Sequence, residues 1–175
     1  MDWSQLKDGD LIFVHEESEM AEAIKQSTGN YSHVAIFLEG LVYHASPQKG
    51  VCRESLKDFV DPLASYDIFA YPAIKVKDVQ TRAQSLLGQP YNASFYPEAD
   101  GYYCSEFLAE ILPIFPTVPM QFGHKEQVVA DFWSQYFQVL GTAVPLGLPG
   151  TNPSGLSRHP HLIKRGRIYD QNHQS

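Results

Sequence analysis

Apolar and polar positions along the chain fall into short, sharply bounded blocks. Leu11-Ile12-Phe13-Val14 is a continuous apolar run after the Asp8-Gly9-Asp10 turn and predicts a buried strand. Over residues 18–28 the period changes. Met20, Ala23 and Ile24 share a helical face, Ser18 suits an N-cap, and Gly29-Asn30 stop the helix. Val34-Ala35-Ile36-Phe37-Leu38 and Leu41-Val42-Tyr43-His44-Ala45 flank Glu39-Gly40, the pattern of a hairpin. Further on, the pattern predicts a short helix over 54–59, a strand over 66–71 and a helix over 77–87 that ends at Gly88. A helix over 104–112 carries Phe107, Leu108, Ile111 and Leu112 on one face and stops at Pro113. Residues 127–140 read as a last, aromatic-rich helix, and from about 141 a Gly/Pro-rich irregular segment follows. Strands cluster early with helices around them, so the expectation is α+β, one domain over residues 1–175.

Hairpin parity carries chemistry. If Glu39-Gly40 is a two-residue turn, Leu38 faces Leu41 and His44 lies opposite Ala35. His33 and His44 then fall on one face as diagonal neighbours, within reach of two imidazoles. An odd-length turn would separate them. Cys104 stands at the start of its helix, where unpaired N–H groups and the dipole favour a thiolate and can hold an oxyanion. Cys104 is therefore a candidate nucleophile, and the hairpin histidines His33 and His44 are candidates for the base and the partner that orients it. As an alternative the same three could ligate zinc, but their spacing matches no usual zinc motif, so no metal and no cofactor is expected.

Composition narrows the classes. The chain has 175 residues, 43% of them hydrophobic, enough for a core. Thirteen Lys and Arg against 20 Asp and Glu give a net charge of −7, which argues against a phosphate-tracking nucleic-acid binder. Only two cysteines are present, excluding a disulfide scaffold or a four-cysteine zinc module. Cys52 reads as a free, partly buried thiol. No basic leader opens the sequence and no apolar run is long enough to span a bilayer. The expectation is a cytoplasmic protein without stable membrane insertion. A mature form whose leader was removed is the alternative.

Several segments together resemble a known family. Gly9-Asp10-Leu11-Ile12-Phe13, Ser32-His33-Val34-Ala35-Ile36, Val42-Tyr43-His44-Ala45, Gly88-Gln89-Pro90-Tyr91 and Tyr103-Cys104-Ser105-Glu106 resemble the NlpC family of papain-like cysteine hydrolases. The order is His first and Cys later, as in the circularly permuted branch that includes YiiX- and YaeF-like proteins and, more distantly, lecithin:retinol acyltransferase-like enzymes. The resemblance implies a permuted papain-like fold, a small antiparallel sheet or partial barrel packed by helices that include the nucleophile helix.

It also implies roles: Cys104 the nucleophile, His33 the general base, His44 the third polar residue. Tyr91 would stand near the substrate and assist the oxyanion. Tyr103 and Glu106 flank the nucleophile; Glu106, where common members have Gly, is either a helix-terminal charge or a recognition group for a substrate amine. Tyr91, Phe95, Tyr96, Tyr102 and Tyr103 precede or adjoin Cys104 in a loop expected to surround the cleft. The implied activity is hydrolysis of an amide in a small peptide or amino-acid amide, including cell-wall-type peptides. A lipid-directed thiol acyltransferase or lipase, and a non-catalytic binding domain of the same fold, are the competing expectations.

Overall fold

The computed structural model describes residues 1–169. Its centre is a six-stranded antiparallel sheet: β1 (Leu11–His15), β2 (His33–Leu38), β3 (Leu41–Ser46), β4 (Gly50–Glu54), β5 (Ser65–Ala70) and β8 (Ile163–Tyr169), in the spatial order β4-β3-β2-β1-β5-β8. The hairpin between β2 and β3 has a two-residue turn. Glu39 and Gly40 both adopt left-handed backbone, with φ of 52° and 76°, whose twist suits a tight hairpin. Leu38 pairs with Leu41 and Ile36 with Tyr43, the predicted register.

Alternation gives the sheet two apolar faces. Leu11, Phe13, Val34 and Ile36 pack against Phe107, Leu108 and Ile111 of α4 (Cys104–Ile111). Ile12, Val14, Ala35, Val42 and Ile68 form the other face, covered by Trp3, Leu56 and Phe59. The last two belong to α2 (Leu56–Phe59). A third cluster joins α1 (Glu19–Thr28) to α5 (Asp131–Leu140) through Ala23, Met120, Phe122, Trp133 and Phe137. Ser18 caps α1 by accepting from the Ala21 N–H, as predicted. The remaining elements are a single 3-10 turn (Trp3–Gln5), α3 (Val76–Ser85), α6 (Pro153–Ser157) and a two-residue pair, β6 (Val118–Pro119) with β7 (Pro149–Gly150).

Three expectations are corrected. Residues 50–54 form β4, so the helix expected over 54–59 begins only at Leu56 and Glu54 ends a strand. The helix expected from residue 127 begins at Asp131, because Val129 bridges to Phe122 and Ala130 donates its N–H to the Phe122 carbonyl. The C-terminal segment is not irregular throughout: it holds α6 and then β8, which pairs along β5. Asp67 in β5 anchors that pairing. Arg167 of β8 donates Nε and Nη2 to its two carboxylate oxygens at 2.6 and 2.9 Å, and the Tyr31 hydroxyl donates at 2.5 Å. Burial alone would raise this carboxyl, but those donors hold it at about 2. The first residues lie on β8: Met1 packs over Gly166, and Arg165 Nη2 donates to the Gln5 carbonyl.

Candidate active site

A cavity of about 620 Å³ opens where the start of β2, the end of β4 and the N-terminus of α4 converge. Cys104, His33, His44, Tyr91 and Tyr103 all line it. Cys104 is the first residue of α4, only 7% exposed. Burial pushes its thiol up to about 11, against the pull of the Val34, Ser105 and Cys104 backbone N–H groups turned toward the sulfur. Val34 is the next residue after His33, so the sulfur lies against the backbone at the start of β2. Cys104 thus rests as a thiol, where helix position alone suggests a thiolate.

The two histidines meet as hairpin parity predicts. His33 Nε2 lies 2.9 Å from His44 Nδ1, with the rings nearly perpendicular. The chain continues beyond them: His44 Nε2 is 2.6 Å from Glu54 Oε2. Burial would raise the Glu54 carboxyl, yet hydrogen bonds from Lys49 and His44 keep it below its ordinary value, so it is an anionic acceptor. Burial holds both imidazoles neutral; that of His33, further depressed by neighbouring His44, falls to about 3. These facts fix the protons. His44 must donate from Nε2 to Glu54, which leaves its Nδ1 to accept from His33 Nε2–H. His33 is left with an unprotonated Nδ1, the nitrogen a general base needs. Phe59 packs on both rings, at 6.4 Å from His33 and 5.1 Å from His44 between centroids, and locks their planes.

Glu54 is the residue that the helix expected over 54–59 conceals. A strand reading of Val51-Cys52-Arg53-Glu54 after the 47–49 turn reveals it: Cys52 pairs with His44, and Glu54 shares the Cys52 face. Tyr91 stands where the sequence places it. Burial first, then nearby Cys104, raises its phenol well above 10, so it is a hydroxyl donor at every ordinary pH. Tyr103 lines the cavity, but its hydroxyl already accepts from the Thr151 N–H at 3.1 Å. Glu106 is not brought to the cavity. Its Oε1 accepts from the Tyr103 N–H and from Asn92 Nδ2, both at 3.2 Å, as a carboxylate does at a helix start. Burial raises that carboxyl to about 7.

Of the aromatic loop, Phe95 joins Tyr91 and Tyr103 on the cavity wall, while Tyr96 and Tyr102 do not. Met20 and Ile24 of α1, with Met120, Phe122 and Trp133, make an apolar flank. The segment 150–153 closes the cavity from the C-terminal side, tied by Thr151 Oγ1 donating to Ser105 Oγ at 2.9 Å. The set able to hold a metal differs from the one considered in sequence. His44, Cys52 and Glu54 offer ligand atoms within 4.8 Å of one another.

The matches with known proteins agree with this fold. Residues 5–164 match the model of the permuted papain-like amidase enzymes, YaeF/YiiX, C92 family. Among solved structures, the chain is similar to the crystal structure of metalloprotein YiiX from Escherichia coli O157:H7. Identity is 22% and the TM-score 0.79, over 94% of this chain and 99% of that one. No curated protein matches.

Proposed function

Because the chain belongs to the permuted papain-like amidases of the C92 family, and so to the papain-like hydrolases, we propose that it hydrolyses an amide bond in a small peptide or amino-acid amide, with Cys104 as nucleophile. The observation that carries this reading is the proton relay Glu54–His44–His33, which leaves a free imidazole nitrogen on the residue preceding the amide that faces the sulfur.

The Cys104 sulfur attacks the substrate carbonyl while its proton passes to His33 Nδ1. Negative charge develops on the carbonyl oxygen. The backbone N–H groups at the start of α4 and the Tyr91 hydroxyl are the donors suited to it. His33 is now an imidazolium, stabilised through His44 by the Glu54 carboxylate. It returns the proton to the departing amine, leaving a thioester. Water then attacks the thioester and gives its proton to His33. Collapse releases the acid, and the proton returns to sulfur. His44 alone would orient His33; Glu54 adds the charge that a neutral ring lacks.

A lipid-directed thiol acyltransferase is the second reading, favoured by the apolar flank of Met20, Ile24, Met120, Phe122 and Trp133. A panel of peptide and aminoacyl p-nitroanilides against p-nitrophenyl esters of long fatty acids separates the two. Amide turnover that disappears in Cys104→Ala is the expected result. Turnover of long-chain esters alone would overturn the amide reading, and no acyl-enzyme mass on Cys104 with any of them would overturn catalysis.

A further inference from the structure

His44, Cys52 and Glu54 share one face of the β3–β4 ladder. His44 and Cys52 are direct cross-strand partners, and Glu54 is two residues on from Cys52. One ligand atom from each lies within 4.8 Å of those of the other two, and Nε2 is the His44 nitrogen turned to Glu54. One imidazole, one thiolate and one carboxylate are a donor set suited to zinc and similar transition ions, and the two anions neutralise a divalent charge. His44 is already oriented from behind by His33, as ligating histidines usually are by a partner on the other nitrogen. His44 and Glu54 also line the cavity, so water can fill a fourth position.

From this geometry we infer that His44, Cys52 and Glu54 form an inhibitory site for a divalent transition ion such as Zn²⁺. The regulatory half of the inference rests on the catalytic reading above. A metal on His44 Nε2 displaces the proton that Glu54 held. Neutral His44 then carries its proton on Nδ1 and donates to His33 Nε2. His33 Nε2 becomes an acceptor, so its ring proton moves to Nδ1 and the lone pair that the catalytic reading requires is gone. One proton leaves His44 Nε2 and one is taken up at His33 Nδ1, while Cys52 loses its thiol proton. Binding therefore releases one net proton and reverses the relay. Lys49, bonded to the other Glu54 oxygen, competes with the ion for the carboxylate charge and tunes its affinity.

The test uses the full chain in two arms. In the first, Co²⁺ titration is followed by absorbance, and Zn²⁺ binding by calorimetry in two buffers of different ionisation enthalpy. A thiolate-to-cobalt band is expected in the wild type and in Cys104→Ala and absent in Cys52→Ser, with one proton released per ion and Zn²⁺ affinity lowered about tenfold or more in Cys52→Ser. A band that survives Cys52→Ser, or that depends on Cys104, overturns the site. In the second arm, Zn²⁺ is added to p-nitroanilide turnover, each protein normalised to its own metal-free rate. Inhibition at the concentration that fills the site, relieved in Cys52→Ser, is expected. Turnover unchanged at full occupancy overturns the control. Absence of turnover without metal overturns the amidase reading instead and leaves the metal arm to stand or fall by its spectrum.

Discussion

Cys104 sits under opposing influences: the amides at the start of α4 favour a thiolate, and enclosure disfavours it. Enclosure wins, at about 11. Two results follow. Iodoacetamide alkylation of Cys104, mapped by mass spectrometry, should accelerate about tenfold per pH unit from pH 6 towards 11 rather than levelling off in the acid range. A thiol whose pKa rises on folding stabilises the fold below its unfolded value of about 9 and loses that contribution as pH climbs to about 11, roughly 3 kcal/mol in all. Melting temperatures between pH 8 and 11 should fall more steeply in the wild type than in Cys104→Ala. At the far end of the relay, Glu54→Gln can offer His44 an N–H as well as an oxygen, so the proton order is no longer imposed. Its kcat should drop about ten- to a hundredfold with little change in KM, against about a thousandfold for His33→Ala. Equal kcat in wild type and Glu54→Gln would show that His44 needs no carboxylate.

At the level of elements, the clearest signals were those set by short-range geometry. A two-residue turn with two left-handed residues leaves little freedom, and from it the pairing of His33 with His44 follows. The start of α4 was equally readable, since Cys104 begins an apolar face. β4 and β8 were not. Both lie at sheet edges, where charged positions such as Glu54, Lys164 and Arg165 dilute the alternation, and only pairing with β3 or β5 makes them strands. Losing β4 meant losing Glu54. The β4 start also carries a tight constraint near the site. Gly50 has φ of 69°, and a Cβ there would lie 2.4 Å from the Gln89 carbonyl oxygen, one residue from the Pro90-Tyr91 pair. Gly50→Ala should cost about 2–3 kcal/mol in chemical denaturation and displace Tyr91, lowering kcat. Gly40→Ala is the comparison: similar backbone, open space around the added carbon, and a cost of about 1 kcal/mol with kcat retained.

On the scale of the whole molecule, the cavity is assembled from the N-terminal hairpin, the central loop and helix, and the C-terminal segment 150–153, so no half of the chain contains it. Long-range assembly of this kind is what a linear pattern conveys least: the sequence marks Cys104, His33 and Tyr91, but not that Thr151 would reach Ser105. One consequence lies in the contact of Met1 with Gly166. With Met1 lying on β8, the backbone from residue 1 to residue 169 is a nearly closed ring, and the place where it is cut is separable from the shape it takes. Joining the ends through a short Gly/Ser linker and opening the exposed Pro72-Ala73 peptide would give a chain in which the nucleophile is synthesised before its base. Such a protein should refold to the same near- and far-ultraviolet circular dichroism and keep p-nitroanilide turnover within about tenfold of the original. The order of synthesis would then be a matter of birth, not of chemistry.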